Sequence, residues 1–137
     1  MRVVLDTSVV VAAWRSRDGA SFALFERLRD DEFEIAVSVP LVLEYEAVLL
    51  RHLVAGLSRD DVEAFVDYLC ARGHKQTVFY LWRPLLNDPG DDTVAEVAVA
   101  AACDAIVTHN IKDFARAKDL RVAVFTPAEF LVFLQAR

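Results

Sequence analysis

The chain has 137 residues, of which 55% are hydrophobic, and its formal net charge is −6. These values predict one compact domain spanning residues 1–137, and no apolar run approaches the roughly 20 residues of a membrane span. The acidic balance argues against a protein that coats nucleic acid through a basic face, although carboxylates gathered around a cation would still permit an RNA substrate. Because Met1 and Arg2 lead directly into an apolar run with no cleavable leader, we expect a cytoplasmic protein with no membrane partner.

The first predicted element is an apolar run at 3–5, which resumes at 9–11 after three polar residues. Such a run is typical of a central strand buried on both faces, with Asp6 at its carboxyl end. In open α/β sheets, ligands bind where strand ends and loops converge, so this carboxylate is placed for chemistry. From this stretch alone, a role for Asp6 as the N-cap of a following helix is equally well supported.

A polar loop at 14–19 ends in glycine and precedes a helix predicted from the apolar spacing at 22–28. A second short strand is predicted at 34–38. Pro40 then opens the next helix near its first position, where the missing N–H costs nothing.

The helix after Pro40 is apolar around most of its circumference over 41–50, which predicts that it is mostly buried. Glu44 and Glu46 interrupt it, and their two-residue separation points them to different faces. Glu44 is predicted in the first turn, near the strand ends, where a carboxylate in an apolar helix needs a partner or a cation. Glu46 is predicted to be a surface charge.

Ser58 is the predicted N-cap of a further helix, which ends in a cation and a C-cap glycine at Arg72 and Gly73. Nothing in this helix suggests chemistry. The residues at 77–81 predict a third strand.

A turn at 87–92 precedes a helix predicted from the apolar spacing at 94–101. One of the paired acids Asp91 and Asp92 is expected to cap this helix. The other, with Glu96 four residues after Asp92, can project from the helical face that meets the sheet edge.

Residues 104–108 predict a fourth buried strand, which is again followed by polar and acidic side chains. A fifth strand is predicted at 121–125, and Thr126 starts the last helix in a capping box. The alternation of strand and helix predicts an α/β fold with three layers, α/β/α, and a five-stranded parallel sheet with right-handed crossovers.

Acidic residues lie at several of the predicted strand ends and first helical turns, which a three-layer domain can bring to one edge. They are Asp6, Glu44, Asp92 and Asp113. Crowded carboxylates need a cation to stay ionised, and oxygen-only ligation favours Mg²⁺ or Mn²⁺. The cysteines and histidines lack the spacing of a zinc site. Polar side chains that could orient the ligands from behind are Thr7, Ser8, Thr108 and Asn110. With no nucleophile paired to a base, the set suits metal-assisted attack of water on a phosphodiester.

Five segments carry these residues in order along the chain. They are VLDTS at 4–8, PLVLEYEAVL at 40–49, DPGDD at 88–92, VTHNIKDF at 107–114 and TPAEFL at 126–131. In this order and spacing they resemble the PIN domain family, specifically the bacterial toxin branch that includes the VapC ribonucleases. The resemblance covers essentially the whole chain.

The resemblance implies a Mg²⁺- or Mn²⁺-dependent endoribonuclease built on a five-stranded parallel sheet. Asp6 matches the first acid of the family, Glu44 the second and Asp92 the third, with Asp91 as the alternative. Relatives usually form dimers, and many are held inactive by an antitoxin whose tail occupies the acidic groove. The expected partners are therefore an RNA substrate, a cognate antitoxin protein and a second copy of the chain.

At the fourth acidic position, the family carries an acid either after the Thr or within an Asp-Phe pair. Here Asn110 fills the first place and Asp113 the second. The resemblance therefore implies that Asp113 is an outer metal ligand and that Asn110 contacts water or phosphate.

Two other functions compete with the nuclease. A PIN-like module that binds RNA or protein without cleaving it is supported by Asn110 in place of an acid, and metal binding separates it from a nuclease. A phosphotransfer domain also places an aspartate after a central strand. However, a phosphatase would need a second Asp where Ser8 stands, and a receiver would need an acid pair near the first strand and a lysine after the last.

Overall fold

The computed structural model describes residues 1–53, 56–78 and 89–137, and at 89–92, 116 and 118 it describes the backbone alone. The strands in this part of the chain are β1 Arg2–Leu5, β2 Glu34–Val37, β3 His74–Lys75, β4 Ala105–Val107 and β5 Ala123–Phe125. The helices are α1 Thr7–Arg15, α2 Ala20–Arg29, α3 Val39–Arg51, α4 Arg59–Arg72, α5 Pro89–Ala100 and α6 Pro127–Gln135. A 3-10 segment, Ile111–Leu120, kinks at Phe114 between β4 and β5.

The strands form a parallel sheet in the order β3-β2-β1-β4-β5, with β1 at its centre. Val3 pairs with Ile35 on one side and with Ala105 on the other. Successive strand side chains point to opposite faces, yet Val3, Val4 and Leu5 are each at most 1% exposed. Helices therefore cover both faces, which confirms the three-layer α/β/α fold with a five-stranded parallel sheet.

The apolar run at 9–11 belongs to helix α1 and not to an extension of the first strand. The backbone turns at Asp6, and α1 begins at the next residue and runs to Arg15, into the stretch predicted to be a loop. Val9, Val10 and Ala13 are its buried residues, and their spacing is that of one helical face. A run of valines was read as a strand because β-branched residues favour strands, but burial of this face outweighs that preference.

The third strand is shorter and earlier than the one predicted at 77–81. The first two residues of that range lie outside any strand, and 79–81 lie outside the described residues. The chain leaves α4 at Gly73 and pairs at once with the end of β2. A Cβ at Gly73 would lie 2.9 Å from the Leu69 carbonyl oxygen and 3.2 Å from a Val37 methyl, so only glycine allows this close passage.

The predicted helix ends are confirmed at three places. Ser58 caps α4 through the Asp61 backbone N–H, and Thr126 and Glu129 form the capping box of α6. The guanidinium of Arg72, at the end of α4, donates to the Leu28 carbonyl oxygen and so ties α4 to the end of α2. In the part of the chain that the structure covers, no helix has the length and apolarity needed to cross a membrane.

Candidate active site

Two buried polar residues stand where neighbouring strands end. Asp6 follows β1 and Thr108 follows β4, and they are 6% and 0% exposed. The backbone N–H of Asp6 donates to the Val107 carbonyl oxygen at 2.9 Å. The hydrogen-bond ladder between β1 and β4 thus continues one residue past β1 and fixes the backbone at Asp6.

The Asp6 carboxylate receives two hydroxyl hydrogen bonds on one oxygen. Oδ2 accepts from Ser8 Oγ at 2.7 Å and from Thr108 Oγ1 at 2.8 Å. Asp6 occupies the N-cap position of α1, but its side chain makes no capping hydrogen bond. The capping interpretation is therefore right about position and wrong about the carboxylate, whose Oδ1 accepts no hydrogen bond from the described residues.

Both hydroxyls are oriented from behind by the loop that follows β4. The His109 backbone N–H donates to Ser8 Oγ at 3.2 Å, and the Asn110 backbone N–H donates to Thr108 Oγ1 at 2.9 Å. Because each hydroxyl has a single proton, accepting a backbone N–H leaves that proton for Asp6. Ser8 and Thr108 thus hold the carboxylate in one orientation.

Glu44 is linked to the same edge from α3. Its Oε2 accepts from Thr7 Oγ1 at 2.6 Å, which joins α3 to the residue after Asp6. Because α3 begins at Val39, Glu44 stands in its second turn and not in the first. Glu46, predicted to be a surface charge, is half-buried and makes no hydrogen bond or ion pair within the described residues.

Tyr45 also belongs to the candidate active site, although the sequence did not single it out. Its ring is 1% exposed, and its hydroxyl donates to the Leu5 carbonyl oxygen. Burial and then the nearby carboxylates of Asp6 and Glu44 raise the pKa of the phenol well above its ordinary value, so it stays a hydrogen-bond donor. The sequence could have indicated this role, because Tyr45 is next to Glu44 on a helix predicted to be buried, and a buried phenol needs a hydrogen-bond partner.

His109, in the loop after β4, makes a contact within the fold. The side chain is exposed, but Nε2 lies 2.9 Å from Oγ of the buried Ser21. This contact ties α2 to the loop after β4.

Asn110 lies in that same loop, and Asp113 lies in the first turn of the 3-10 segment that follows it. Among the described residues, neither side chain is joined by a hydrogen bond to Asp6, Ser8 or Thr108. Both side chains are exposed. The Asp113 N–H donates to the Asn110 carbonyl oxygen at 3.0 Å. The structure therefore brings Asn110 into the site through its backbone, and it leaves the Asp113 carboxylate without a partner among the described residues.

The remaining acids of the predicted set belong to α5. Asp91 and Asp92 are residues of α5, so neither precedes the helix as an N-cap, and their side chains lie outside the described residues. Glu96 is half-buried on the same helix. Among the residues whose side chains are described, no group of three or more His, Cys, Asp and Glu is placed to hold a metal ion.

Comparisons with known proteins extend these observations. A family model described as PIN domain matches residues 2–112. A comparison with curated proteins gives no match. Among solved structures, VapBC2 from Rickettsia felis, bound to a DNA fragment from its promoter, gives a TM-score of 0.65 at 18% identity, covering 92% of this chain and 98% of that chain.

Two further solved structures share the fold. VapBC-1 from nontypeable Haemophilus influenzae gives a TM-score of 0.59 at 16% identity and covers 93% of this chain and 99% of that one. PAE2754 from Pyrobaculum aerophilum gives a TM-score of 0.67 at 17% identity, covering 100% of this chain and 91% of that one. At these identities the likeness is one of fold.

Proposed function

Because the chain belongs to the PIN domain family, we propose that it is a metal-dependent endoribonuclease that hydrolyses RNA phosphodiesters. The observation that carries the proposal is the buried Asp6 carboxylate, held by two hydroxyls on one oxygen and open on the other. A carboxylate that served only the fold would be expected to use both oxygens or to cap α1.

The residues present fit a hard divalent cation. A 6% exposed carboxylate is costly unless its charge is compensated, and no Lys or Arg side chain pairs with Asp6 among the described residues. Asp6 and Glu44 each keep one carboxylate oxygen without a hydrogen bond in that part of the chain. Carboxylate oxygens held by hydroxyls are the ligands that Mg²⁺ and Mn²⁺ prefer.

We assign Asp6, Glu44 and Asp92 as the metal-binding and catalytic acids, with Asp113 as an outer ligand and Asp91 as the alternative on α5. When bound, Mg²⁺ or Mn²⁺ lowers the pKa of a water molecule and neutralises charge that develops on the phosphate. In this assignment Asn110 contacts water or phosphate, and the half-buried Glu96 supports the α5 acids.

The chain's own hydroxyls hold the acids and do not act as nucleophiles. Ser8 Oγ and Thr108 Oγ1 donate to Asp6, and Thr7 Oγ1 donates to Glu44. A side-chain nucleophile would instead need its proton directed at a base such as histidine. This arrangement supports hydrolysis by water.

We further propose that the protein is the toxin of a type II toxin–antitoxin pair. The Rickettsia and Haemophilus structures that share its fold are VapBC assemblies, and each matches nearly the full length of this chain. The proposed partners are therefore a cognate antitoxin and a second copy of the chain, in the cytoplasm, with residues 1–137 acting as one domain.

The test is cleavage of end-labelled total RNA by purified protein, free of antitoxin, with Mn²⁺, with Mg²⁺ and with EDTA. Asp6→Asn is run alongside, and Asp67→Asn, an exposed acid of α4, is the matched control. We expect discrete products from the wild type and the control that require metal and disappear with Asp6→Asn. Equal cleavage by Asp6→Asn would point to a contaminating nuclease or a different site.

One observation favours a second function, an RNA- or protein-binding module that does not cleave. Asn110 replaces an acid, and the Asp113 side chain is exposed without a partner among the described residues. Such a module would retain RNA in a filter-binding assay with Mn²⁺ present and leave it intact, whereas the nuclease would degrade it.

A further inference from the structure

The peptide bond between Leu5 and Asp6 is held at both of its polar atoms. Its carbonyl oxygen, on Leu5, accepts from the Tyr45 hydroxyl, and its N–H, on Asp6, donates to the Val107 carbonyl oxygen at 2.9 Å. A peptide unit fixed at both ends cannot rotate without breaking one of these bonds. The backbone position from which the Asp6 side chain extends is therefore fixed by α3 on one side and by β4 on the other.

The two consecutive α3 residues that face this edge contact the residues on either side of Asp6. Tyr45 binds the carbonyl oxygen of Leu5, and Glu44 Oε2 accepts from Thr7 Oγ1 at 2.6 Å. Any shift of α3 along β1 would strain both bonds together. The placement of the Glu44 carboxylate relative to the Asp6 carboxylate is thus fixed by this pair of contacts.

A buried tyrosine often satisfies its hydroxyl on any nearby carbonyl, as part of an ordinary core. Here the acceptor belongs to the peptide that carries Asp6, and the neighbour on the helix is Glu44. We propose that Tyr45 is a positioning residue whose hydroxyl sets the spacing of the Asp6 and Glu44 carboxylates for the cation. This inference rests on the proposed metal-dependent function.

Tyr45→Phe tests it, because the change keeps the ring and removes one hydrogen bond. The loss of one hydrogen bond is small beside the stability of a typical domain, so the variant is expected to fold. Mn²⁺ binding is measured without RNA, from the electron paramagnetic resonance signal of free Mn²⁺. We expect Kd to rise about threefold to tenfold, and kcat for RNA to fall while KM for RNA is unchanged.

Tyr68→Phe is the matched control, since it makes the same chemical change on α4. The Tyr68 ring lies beneath the Arg72 guanidinium at 5.9 Å, and its hydroxyl makes no hydrogen bond within the described residues. We expect its Mn²⁺ affinity and kcat to equal those of the wild type. If Tyr45 had only a structural role, Tyr45→Phe would lower the urea midpoint of unfolding and leave the Mn²⁺ affinity and kcat of the folded protein unchanged.

The outcomes separate this inference from the proposed function. Wild-type Mn²⁺ binding that is lost in Asp6→Asn but unaltered in Tyr45→Phe would overturn the role of Tyr45 alone. Absence of Mn²⁺ binding in the wild type would overturn the proposed function, and this inference with it. Weakened binding in Tyr45→Phe and normal binding in Tyr68→Phe would support both.

Discussion

Thr108 Oγ1 donates a 2.8 Å hydrogen bond to Asp6 Oδ2, and this contact joins the ends of two adjacent strands. Neither residue is more than 6% exposed. The hydroxyl is also an acceptor for the Asn110 N–H, so one side chain fixes both the acid and the loop that follows β4. This arrangement makes the orientation of the acid sensitive to a group that need not touch a cation or RNA.

Thr108→Val keeps the shape of the side chain and removes its hydroxyl. We expect the free energy of unfolding to fall by about 1–3 kcal/mol, because the Asn110 N–H loses its partner and Asp6 Oδ2 keeps only one. We also expect weaker cleavage that is not abolished, since Ser8 still holds Asp6. Urea unfolding and the RNA assay measure the two effects, with the exposed Thr77→Val as control. Unchanged stability and activity would show that this hydroxyl does not position Asp6.

In Asp6→Asn, the free energy of unfolding is expected not to depend on Mn²⁺. In EDTA its free energy of unfolding should equal or exceed that of the wild type, because a buried charge is removed and the amide oxygen still accepts from Ser8 and Thr108. At Mn²⁺ 100-fold above Kd, the wild type should gain about 2.7 kcal/mol and the variant nothing. Thermal unfolding with and without Mn²⁺ measures this, and an equal gain in both proteins would contradict the assignment of Asp6 as a ligand.

The sequence predicted the edge where the candidate site lies, because short apolar runs that end in polar residues mark buried parallel strands. This reasoning placed Asp6 and Thr108 correctly at the ends of β1 and β4. It could not reveal that Ser8 and Thr108 share one oxygen of Asp6, because Thr108 lies 102 positions from Asp6 and the backbone N–H that orients Ser8 comes from His109, 101 positions from Ser8.

The sequence-based prediction was wrong for elements whose local secondary-structure preference differs from what packing in the fold requires. Three successive valines at 9–11 favour a strand locally, yet they form α1 because that helix buries one face against the core. The strand β3 has only two residues, too few to show any periodicity, and its position follows from the close passage at Gly73. Tyr45 looked like an ordinary core residue because its partner lies 40 positions away.

Cys103 should contribute to a loss of stability at alkaline pH. Burial raises the pKa of this thiol to about 12, while in the unfolded chain the thiol has its ordinary, lower pKa. Between these values the unfolded state binds fewer protons than the folded state, so stability falls as pH rises. The free energy of unfolding, measured with urea at pH 8 and pH 10, should fall less between these pH values for Cys103→Ala than for the wild type. Cys70→Ala is the control, and equal drops for Cys103→Ala and the wild type would contradict this account.

Glu44 and Glu46 provide a matched pair on α3. Glu44→Gln removes the charge of an acid whose Oε2 accepts from Thr7 at 2.6 Å, so we expect cleavage to fall at least about a hundredfold, as when a metal ligand is weakened. Glu46→Gln is isosteric in the same way and two residues away, and we expect activity within about twofold of the wild type, since exposed or half-buried surface changes are usually near neutral. Initial cleavage rates at saturating Mn²⁺ decide the matter. A large loss in Glu46→Gln with full activity in Glu44→Gln would mean that the other face of α3 serves the site.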